Sequence, residues 1–475
     1  MRTYLSLIFA LVLALPLSAA VINGQVFYFE SSDDLRRLQF VVPDYTSMKQ
    51  VTHYASVDTD GRFRLQLSLP EPTEVVLTMG EHTQTLMLDP EDSLHISFDW
   101  KEWTRQGGRA LRYTGDGAHR QRQLQELEQA FAKKFGPWEW NSLLALSPTE
   151  AKAFIRQRQL QEIAFWRSWD LADPVLRTYT EQRAFFSAPR QLFRYALRQR
   201  EAGTPLSPTP GFFQFWPAVL GQQDIRANTF ALQRICAAYT NYLNLTIPWR
   251  IDDLPETAEE KFPLIVQEQV GQLQQAPFPH AMRDRLLALL LGNSLDFPLT
   301  ARGVEEDAIA YIQQPFLRKQ VQQKYDKLHT PTPVRIANGT ELPLPDTITS
   351  LAGFLHRQFP DKTIIVDFWA TWCFSCLRTM QNTLPQWQER LPANDAVLVL
   401  VALDSPRPLW TEKVNALPFI GSHVLAPVSL NPVIKREFGV YGLPHYAVIN
   451  GRGEIVISQA KAPGKGLWQQ VKKIR

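Results

Sequence analysis

Two of the three cysteines in this 475-residue chain are separated by only two residues. The segment 367–376 reads DFWATWCFSC, and its apolar beginning is typical of a buried strand. A helix is expected directly after this strand, with Cys373 at its N-terminus and Cys376 about one turn further on. Two sulfurs at that spacing can form a small-ring disulfide, and the partial positive charge of a helix N-terminus favours thiolate over thiol. The pair is therefore a candidate for cycling between dithiol and disulfide.

A single carboxylate interrupts the predicted strand. Asp367 precedes Cys373 by six residues and lies among Ile, Val, Phe and Trp. Burial without a partner disfavours the charged carboxylate, so we expect its pKa to be raised. Placed behind Cys376, it would accept the proton of that thiol during catalysis. The alternative is a structural carboxyl group that is hydrogen-bonded to backbone or water.

A proline begins a second predicted strand near the C-terminus, in the segment VYGLPHYAVIN at 440–450. A cis Leu443–Pro444 bond would leave backbone groups open to a bound peptide. A trans proline at a strand entry is also common. His445 is either a residue that lines the site or a surface histidine.

The elements that position these residues alternate between strand and helix. Two continuous apolar runs, TIIVDFWA and AVLVLVAL, predict buried strands of parallel-sheet type, and helical patterns follow each of them. About 145 residues in this order suit one compact α/β domain. A proline-rich segment at 329–347 predicts the linker before it.

The rest of the chain predicts different architecture. Residues 21–114 contain strictly alternating segments such as FRLQLSL, which indicate a small antiparallel sandwich with hairpin turns, one of them DTDG at 58–61. Residues 115–329 follow a helical pattern, with a capping box at Ser147–Glu150. Trp and Phe are frequent in this segment; a core is the main interpretation, and a ligand groove or partner surface is the other.

The first twenty residues, MRTYLSLIFALVLALPLSAA, have the basic start, apolar centre and small-residue end of a signal peptide. We expect cleavage after Ala20 and export to the periplasm of a bacterium. The apolar run is short for a membrane anchor. In an oxidising compartment, three cysteines are too few for a disulfide scaffold, which favours a redox use of the close pair.

Composition excludes other classes. A net charge of +3 with dispersed basic residues argues against nucleic-acid binding. The close cysteine pair has no second Cys or His pair at suitable spacing, which argues against a zinc site, and we predict neither a metal nor another cofactor. Cys236 lies in a helical pattern and is interpreted as a small buried hydrophobe, with a third redox thiol as the alternative.

The segment VDFWATWCFSC at 366–376 and the later GLP at 442–444 resemble the thioredoxin fold, and with the exported context they resemble its TlpA/ResA-type branch. The resemblance covers about residues 330–475. It implies that Cys373 is the attacking thiol and Cys376 the resolving thiol, which together form the redox disulfide. It also implies that Asp367 is the buried proton acceptor.

The resemblance also predicts residues that contact substrate. Pro444 would be the cis-proline beside the cysteines, with Leu443 before it, and Trp372 would flank the pocket. Three positions of the helix depart from the family pattern. Ser375 stands where proline is usual, Thr379 where glutamate is usual in the branch, and Gln381 where a helix proline is usual. The direction of electron flow and a role in cytochrome c maturation stay open.

Together these observations predict a multidomain protein. Its parts would be a signal peptide at 1–20, a β-sandwich at 21–114, an all-α region at 115–329 and an α/β thioredoxin-like domain at 330–475. The function that we expect is thiol–disulfide exchange with exported proteins that bear disulfides or thiols, in the reducing direction, with a membrane or periplasmic redox donor. The alternative is a binding or scaffold protein whose thioredoxin-like domain is a redox sensor or docking module.

Overall fold

The computed structural model describes most of the chain in nine segments. They are residues 19–28, 37–201, 212–221, 225–246, 258–296, 301–329, 336–345, 347–393 and 395–472. Most of the predicted signal peptide and part of the predicted linker lie outside these residues. The chain divides into two compact units, 1–246 with 276–282, and 247–275 with 283–475. The helical segment expected at 115–329 contributes helices to both units.

The first unit begins with two four-stranded sheets. The strands are β1 (Ala19–Phe27), β2 (Arg37–Pro43), β3 (Gln50–Ser56), β4 (Arg62–Ser68), β5 (Thr73–Met79), β6 (His82–Leu88), β7 (Ser93–Asp99) and β8 (Arg112–Gly115). One sheet has the order β4-β1-β7-β8 and the other β3-β2-β5-β6, and inward residues of both sheets form one hydrophobic core. All pairs are antiparallel except β1 with β7. The two sheets therefore form a sandwich, as the alternating pattern predicts.

The hairpin predicted at DTDG is wrong. Residues 58–61 connect β3 to β4, and these strands belong to different sheets. The turn itself forms because the Asp58 carboxylate accepts hydrogen bonds from the backbone N–H groups of Asp60 and Arg62, at 2.9 and 2.8 Å. The same turn residues serve a hairpin or a crossover between sheets, so the local signal does not distinguish them.

Within the described residues of the first unit there are seven helices. They are α1 (Trp100–Gln106), α2 (Ala118–Phe135), α3 (Trp140–Leu144), α4 (Pro148–Arg167), α5 (Pro174–Glu201), α6 (Trp216–Leu220) and α7 (Phe230–Thr246). The predicted capping box at the start of α4 is present: the Ser147 hydroxyl accepts from the Glu150 N–H, and the Glu150 carboxylate accepts from the Ser147 N–H. Two orphan donors of the first turn are thereby satisfied.

Four further helices follow in the chain. They are α8 (Ala258–Gln275), α9 (His280–Ser294), α10 (Arg302–Tyr311) and α11 (Pro315–His329). Helix α9 continues through Gly292, because an isolated glycine weakens a helix without necessarily ending it. Among the described residues, no helix is long and apolar enough to span a membrane.

The second unit contains a six-stranded mixed sheet with helices on both faces. Its strands are β9 (Thr340–Glu341), β10 (Thr363–Trp369), β11 (Ala396–Ala402), β12 (Ser422–Leu425), β13 (His445–Ile449) and β14 (Ile455–Ile457). The order is β14-β13-β10-β11-β12-β9. Strand β10 pairs in parallel with β11 and antiparallel with β13, so it is central and buried along its whole length.

In the part of this unit that the structure describes, five helices pack on the sheet. They are α12 (Leu351–Gln358), α13 (Phe374–Ala393), α14 (Arg407–Ala416), α15 (Asn431–Phe438) and α16 (Lys465–Lys472). Side chains of α13, α14 and α16 pack on one face of the sheet, and side chains of α12 and α15 pack on the other. The apolar positions of α13, Met380, Leu384, Trp387 and Leu391, recur every three or four residues and fall in the first of these cores. The result is a three-layer α/β domain.

Candidate active site

The site lies at one edge of the six-stranded sheet, where several connections meet. Strand β10 ends at Trp369 and the chain reaches Cys373 within one short turn, before α13 begins at Phe374. Strand β13 is antiparallel to β10, and its first residue, His445, pairs with Phe368 near the end of β10. The cysteine turn and the start of β13 are thus brought to the same edge.

Cys373 and Cys376 form a disulfide with a Cα–Cα distance of 5.3 Å. Cys373 occupies the residue immediately before α13, and the backbone N–H of Cys376 donates to its Sγ at 3.2 Å. The Ser375 hydroxyl lies 3.5 Å from the same sulfur. Cys373 is 6% exposed and Cys376 only 1%. The sulfur of Cys373 is therefore the one nearer to solvent, and groups that stabilise negative charge surround it.

Hydrogen bonds hold the cysteine turn against the connection that follows β11. The Leu403 N–H donates to the Trp369 carbonyl at 2.8 Å, and the Thr371 N–H donates to the Ser405 hydroxyl at 3.0 Å. The Trp372 indole N–H donates to the Asp404 carbonyl at 2.9 Å. Because β10 and β11 are parallel, their C-terminal ends meet at one edge and these bonds become possible. They fix the direction from which α13 starts.

Asp404 is itself fixed by neighbouring side chains. It adopts a left-handed conformation with φ of 45°. Its carboxylate accepts from the Asn431 amide and from the Lys435 ammonium, both at 2.7 Å. The sequence analysis did not identify this support for Trp372, because Asp404 and Lys435 are distant in the chain.

Asp367 lies on the same face of the sheet as the two cysteines. Side chains alternate along β10, and its neighbours on that face, Ile365 and Trp369, belong to the core cluster that contains both cysteines. Asp367 is 2% exposed, and its Oδ1 has no hydrogen-bond partner among the described residues. Burial raises its pKa well above the usual range. This desolvation is the cause of the raised Asp367 pKa that the sequence analysis expects.

Tyr446 is a residue that the sequence analysis missed. It pairs directly with Asp367 across β10 and β13 and shares its face. Its hydroxyl is buried without a partner among the described residues. Burial and then the charge of Asp367 raise the Tyr446 pKa. Only the register of the two strands could have revealed this pairing, and a single sequence does not specify it.

The remaining predicted residues lie around the cysteine turn. The Leu443–Pro444 bond is cis. Leu443 and Trp372 are partly buried and pack against the cluster that contains both cysteines. His445 instead has its Nε2 at 3.2 Å from the Phe438 carbonyl, within the fold.

Cys236 differs from the cysteine pair in both bonding and ionisation. It is a free thiol in α7, buried, with its sulfur 4.0 Å from the Met282 sulfur. Burial raises its pKa to about 12, so the thiolate is disfavoured at neutral pH. Among the described residues, no group of three or more His, Cys, Asp or Glu side chains is placed to hold a metal ion.

The fold and site define a thioredoxin-like domain: a central mixed sheet, a Cys-x-x-Cys pair before a helix, and a cis-proline before the antiparallel strand. No protein-family model matches the chain. A thioredoxin from Coprinus comatus is 38% identical over 72 residues, which are 15% of this chain and 67% of that protein. The chain therefore belongs to the thioredoxin family.

The chain also matches segments of solved structures. One is the thioredoxin domain of a thiol-disulfide oxidoreductase from Bacteroides vulgatus, which is 20% identical. The match covers 25% of this chain and 82% of that chain, with a TM-score of 0.23. Another is StoA from Bacillus subtilis, which is 21% identical. That match covers 24% of this chain and 84% of the StoA chain, with a TM-score of 0.19. Both likenesses concern about a quarter of the chain.

Proposed function

We propose that this protein is an exported thiol–disulfide oxidoreductase of the TlpA/ResA type, acting in the reducing direction on disulfides of exported proteins. The observation that carries the proposal is the disulfide between Cys373 and Cys376 at the start of α13, with the more exposed sulfur on Cys373. Family membership and the signal-like first twenty residues support it. A periplasmic or membrane dithiol donor restores the reduced pair.

The reaction has two exchange steps. In the reduced protein, the Cys373 thiolate attacks one sulfur of a substrate disulfide, so the substrate S–S bond breaks and a mixed disulfide forms. The released substrate thiolate takes a proton from solvent. The Cys376 thiol then gives its proton to Asp367 in its ionised carboxylate form, and the Cys376 sulfur attacks the Cys373 sulfur. The mixed disulfide breaks, the second substrate thiolate leaves and is protonated, and two electrons have passed from the protein to the substrate.

The arrangement favours this order of attack. Cys373 is the more exposed sulfur and has the Cys376 N–H at 3.2 Å to stabilise its thiolate. Cys376 is buried on the face that also holds the Asp367 carboxyl group, whose raised pKa suits a proton acceptor. Trp372, Leu443 and Pro444 form the surroundings in which a substrate strand would bind.

An insulin-reduction assay with a small dithiol donor tests the activity. Wild type is expected to turn over, and Cys373→Ser is expected to lose turnover completely. In a separate incubation with insulin and without the dithiol donor, reduced Cys376→Ser is expected to accumulate mixed disulfides, since the site then has no second thiol to resolve them. Cys236→Ser is the control and retains turnover, because that thiol is buried in another unit. Equal turnover by wild type and Cys373→Ser would refute the proposal.

Export is tested separately. Cell fractionation followed by N-terminal sequencing is expected to recover the protein from the periplasm with Val21 as its first residue. Recovery of the uncleaved chain from the cytoplasm would refute this part of the proposal and would leave the exchange chemistry standing.

A further inference from the structure

A pocket of about 440 Å³ opens in the first unit. Its lining residues lie between Glu74 and Arg234 in the sequence, whereas the two redox cysteines belong to the second unit. Strands β5 and β6 and helices α2, α4, α5 and α7 all contribute side chains to its wall. Its volume falls within the range of small-molecule sites. None of the residues proposed for disulfide exchange lines it.

One face of α5 supplies much of the wall. Arg183, Ser187, Arg190 and Gln191 line the pocket at spacings of three or four residues, which place them along one side of a helix. Aromatic side chains, including Phe131 and Trp138, add apolar surface. The wall is thus a mixture of apolar area and a few polar groups, as in ligand sites.

Four of the charged residues in the wall neutralise one another. Arg183 forms an ion pair with Glu128, which also accepts a hydrogen bond from the Tyr179 hydroxyl at 2.8 Å. Arg158 forms an ion pair with Glu162 at 3.0 Å. These contacts account for four charges and leave no net charge.

Two cations in the wall have no such partner. Among the described residues, neither Arg190 nor Arg234 has a carboxylate within ion-pair distance or an acceptor for its guanidinium N–H groups; Arg234 has the Phe230 ring at 5.8 Å, and its charge acts on the Glu74 carboxyl group, which also lines the pocket. Burial, and then the positive charges of Arg234 and Arg194, lower the pKa of Arg190 to about 10. Glu74 is the remaining acidic residue that lines the pocket, so even when it is ionised the wall keeps a net positive charge. Two guanidinium groups outside ion pairs suit an anion, since planar carboxylates match their donors.

A buried acceptor without a donor lies in the same wall. Gln191 is 5% exposed, and its Oε1 has no hydrogen-bond partner among the described residues. A buried acceptor that is left unsatisfied costs about 1–3 kcal/mol, so a ligand with an N–H donor would relieve a real penalty. A ligand that carries both an anionic group and an N–H donor would therefore complement the polar groups of the pocket.

We propose that this pocket binds the C-terminal end of a short peptide. The terminal carboxylate lies between Arg190 and Arg234, and a backbone N–H of the peptide donates to the Gln191 Oε1. Side chains of the peptide pack against Phe131 and Trp138. This assignment goes beyond the proposed redox function and does not depend on it.

Ligand-observed NMR with the full-length oxidised protein tests the assignment. The probes are a mixed-sequence set of N-acetylated tripeptides with free carboxylates, the same set as C-terminal amides, and free amino acids. The free-acid tripeptides are expected to bind and the amides to bind at least tenfold more weakly. Equal binding of acids and amides, binding of free amino acids alone, or no binding of the acids would each overturn the proposal.

Variants locate the binding. Arg190→Gln and Arg234→Gln are each expected to weaken the tightest tripeptide at least tenfold, and Arg190→Lys to weaken it less, because it keeps the charge but loses the planar fork. Arg194→Gln is the matched control: it is on the same helix and stacks on the Trp140 ring at 4.2 Å, outside the pocket wall. Arg234 is exposed, so its variant keeps the test valid if Arg190→Gln does not fold. Unchanged affinity in both glutamine variants would place the ligand elsewhere.

Discussion

The sulfur of Cys373 has two polar neighbours in the first turn of α13. The Cys376 N–H lies at 3.2 Å and the Ser375 hydroxyl at 3.5 Å. Both stabilise a thiolate, which exists only in the reduced protein, and neither gains comparably from the disulfide. Groups of this kind therefore raise the reduction potential, because they stabilise the reduced form.

Replacement of Ser375 by alanine tests this effect. Loss of one weak hydrogen bond to the thiolate is expected to cost the reduced form about 0.5–1.5 kcal/mol, which lowers the reduction potential by about 10–30 mV. Equilibration with glutathione buffers measures the potential. Thr383→Ala is the control, since its hydroxyl donates to the Thr379 carbonyl further along α13. A potential that does not change in Ser375→Ala would contradict the role of the hydroxyl.

Asp367→Asn separates stability from catalysis. Because burial raises the Asp367 pKa, the folded state binds this proton more tightly than the unfolded state, and stability falls as pH rises toward that pKa. The variant is expected to be more stable than wild type at alkaline pH and to resolve mixed disulfides at least about tenfold more slowly. Guanidinium unfolding at several pH values and quenched exchange assays provide the two measurements.

The control for this variant is Asp361→Asn. Asp361 is exposed, and its φ of 61° is one that asparagine also adopts. It is expected to match wild type in both measurements. An Asp367→Asn protein with normal resolution kinetics would show that the carboxyl group is structural, as the alternative interpretation holds.

At the scale of elements, the sequence predicts the catalytic strand and helix well. The continuous apolar run of β10 and the three-to-four-residue spacing along α13 carry strong local signals, so the positions of these elements and of the close cysteine pair follow from them. Strand pairing carries no such signal. The partner of Asp367 on β13 and the support of Trp372 by Asp404 depend on which strands are neighbours, which only the folded chain determines.

A buried histidine in another strand of the same sheet predicts how the stability of the protein changes at acidic pH. His423 in β12 is fully buried with its ring 6.1 Å from that of Phe419, and burial lowers its pKa to about 4. The unfolded state, with an ordinary pKa of 6.5, takes up a proton first as pH falls, so stability is lost between about pH 6.5 and 4.

His423→Leu is expected to remove this loss. The variant should be more resistant than wild type to unfolding at pH 4 by on the order of 2–3 kcal/mol, relative to their difference at pH 8. Guanidinium unfolding followed by tryptophan fluorescence provides the measurement. The same acid sensitivity in both proteins would mean that His423 is not the group that titrates.

At the scale of the molecule, the proposed peptide pocket lies in the first unit and the redox cysteines lie in the second. The proposed peptide pocket draws residues from six elements between β5 and α7, each of which is an ordinary strand or helix by its local pattern. No motif marks Arg190 or Arg234, since an arginine on a helix usually faces solvent. The sequence therefore predicts the cysteine pair, whose members are close in the chain, and misses the pocket, whose residues meet only through tertiary packing.

Glu74, a buried carboxyl group in the first unit, predicts a change in stability at alkaline pH. Its Oε2 accepts from the Phe230 N–H at 2.8 Å, and burial raises its pKa to about 7 from an ordinary 4.5. The folded state thus holds a proton that the unfolded state releases. Stability from this group is complete below pH 4.5 and is lost as pH rises through 7.

Glu74→Gln is expected to abolish that loss, because the amide still accepts from Phe230 and carries no charge to bury. At pH 8 the variant should be more stable than wild type by on the order of 2–3 kcal/mol, and at pH 4 nearly equal to it. Guanidinium unfolding at the two pH values measures the difference, with exposed Glu81→Gln as the control. A variant that is less stable than wild type at pH 8 would mean that the carboxylate is charged in the fold and is stabilised by the cations of the pocket wall, and the pocket would then have less positive charge to offer an anionic ligand.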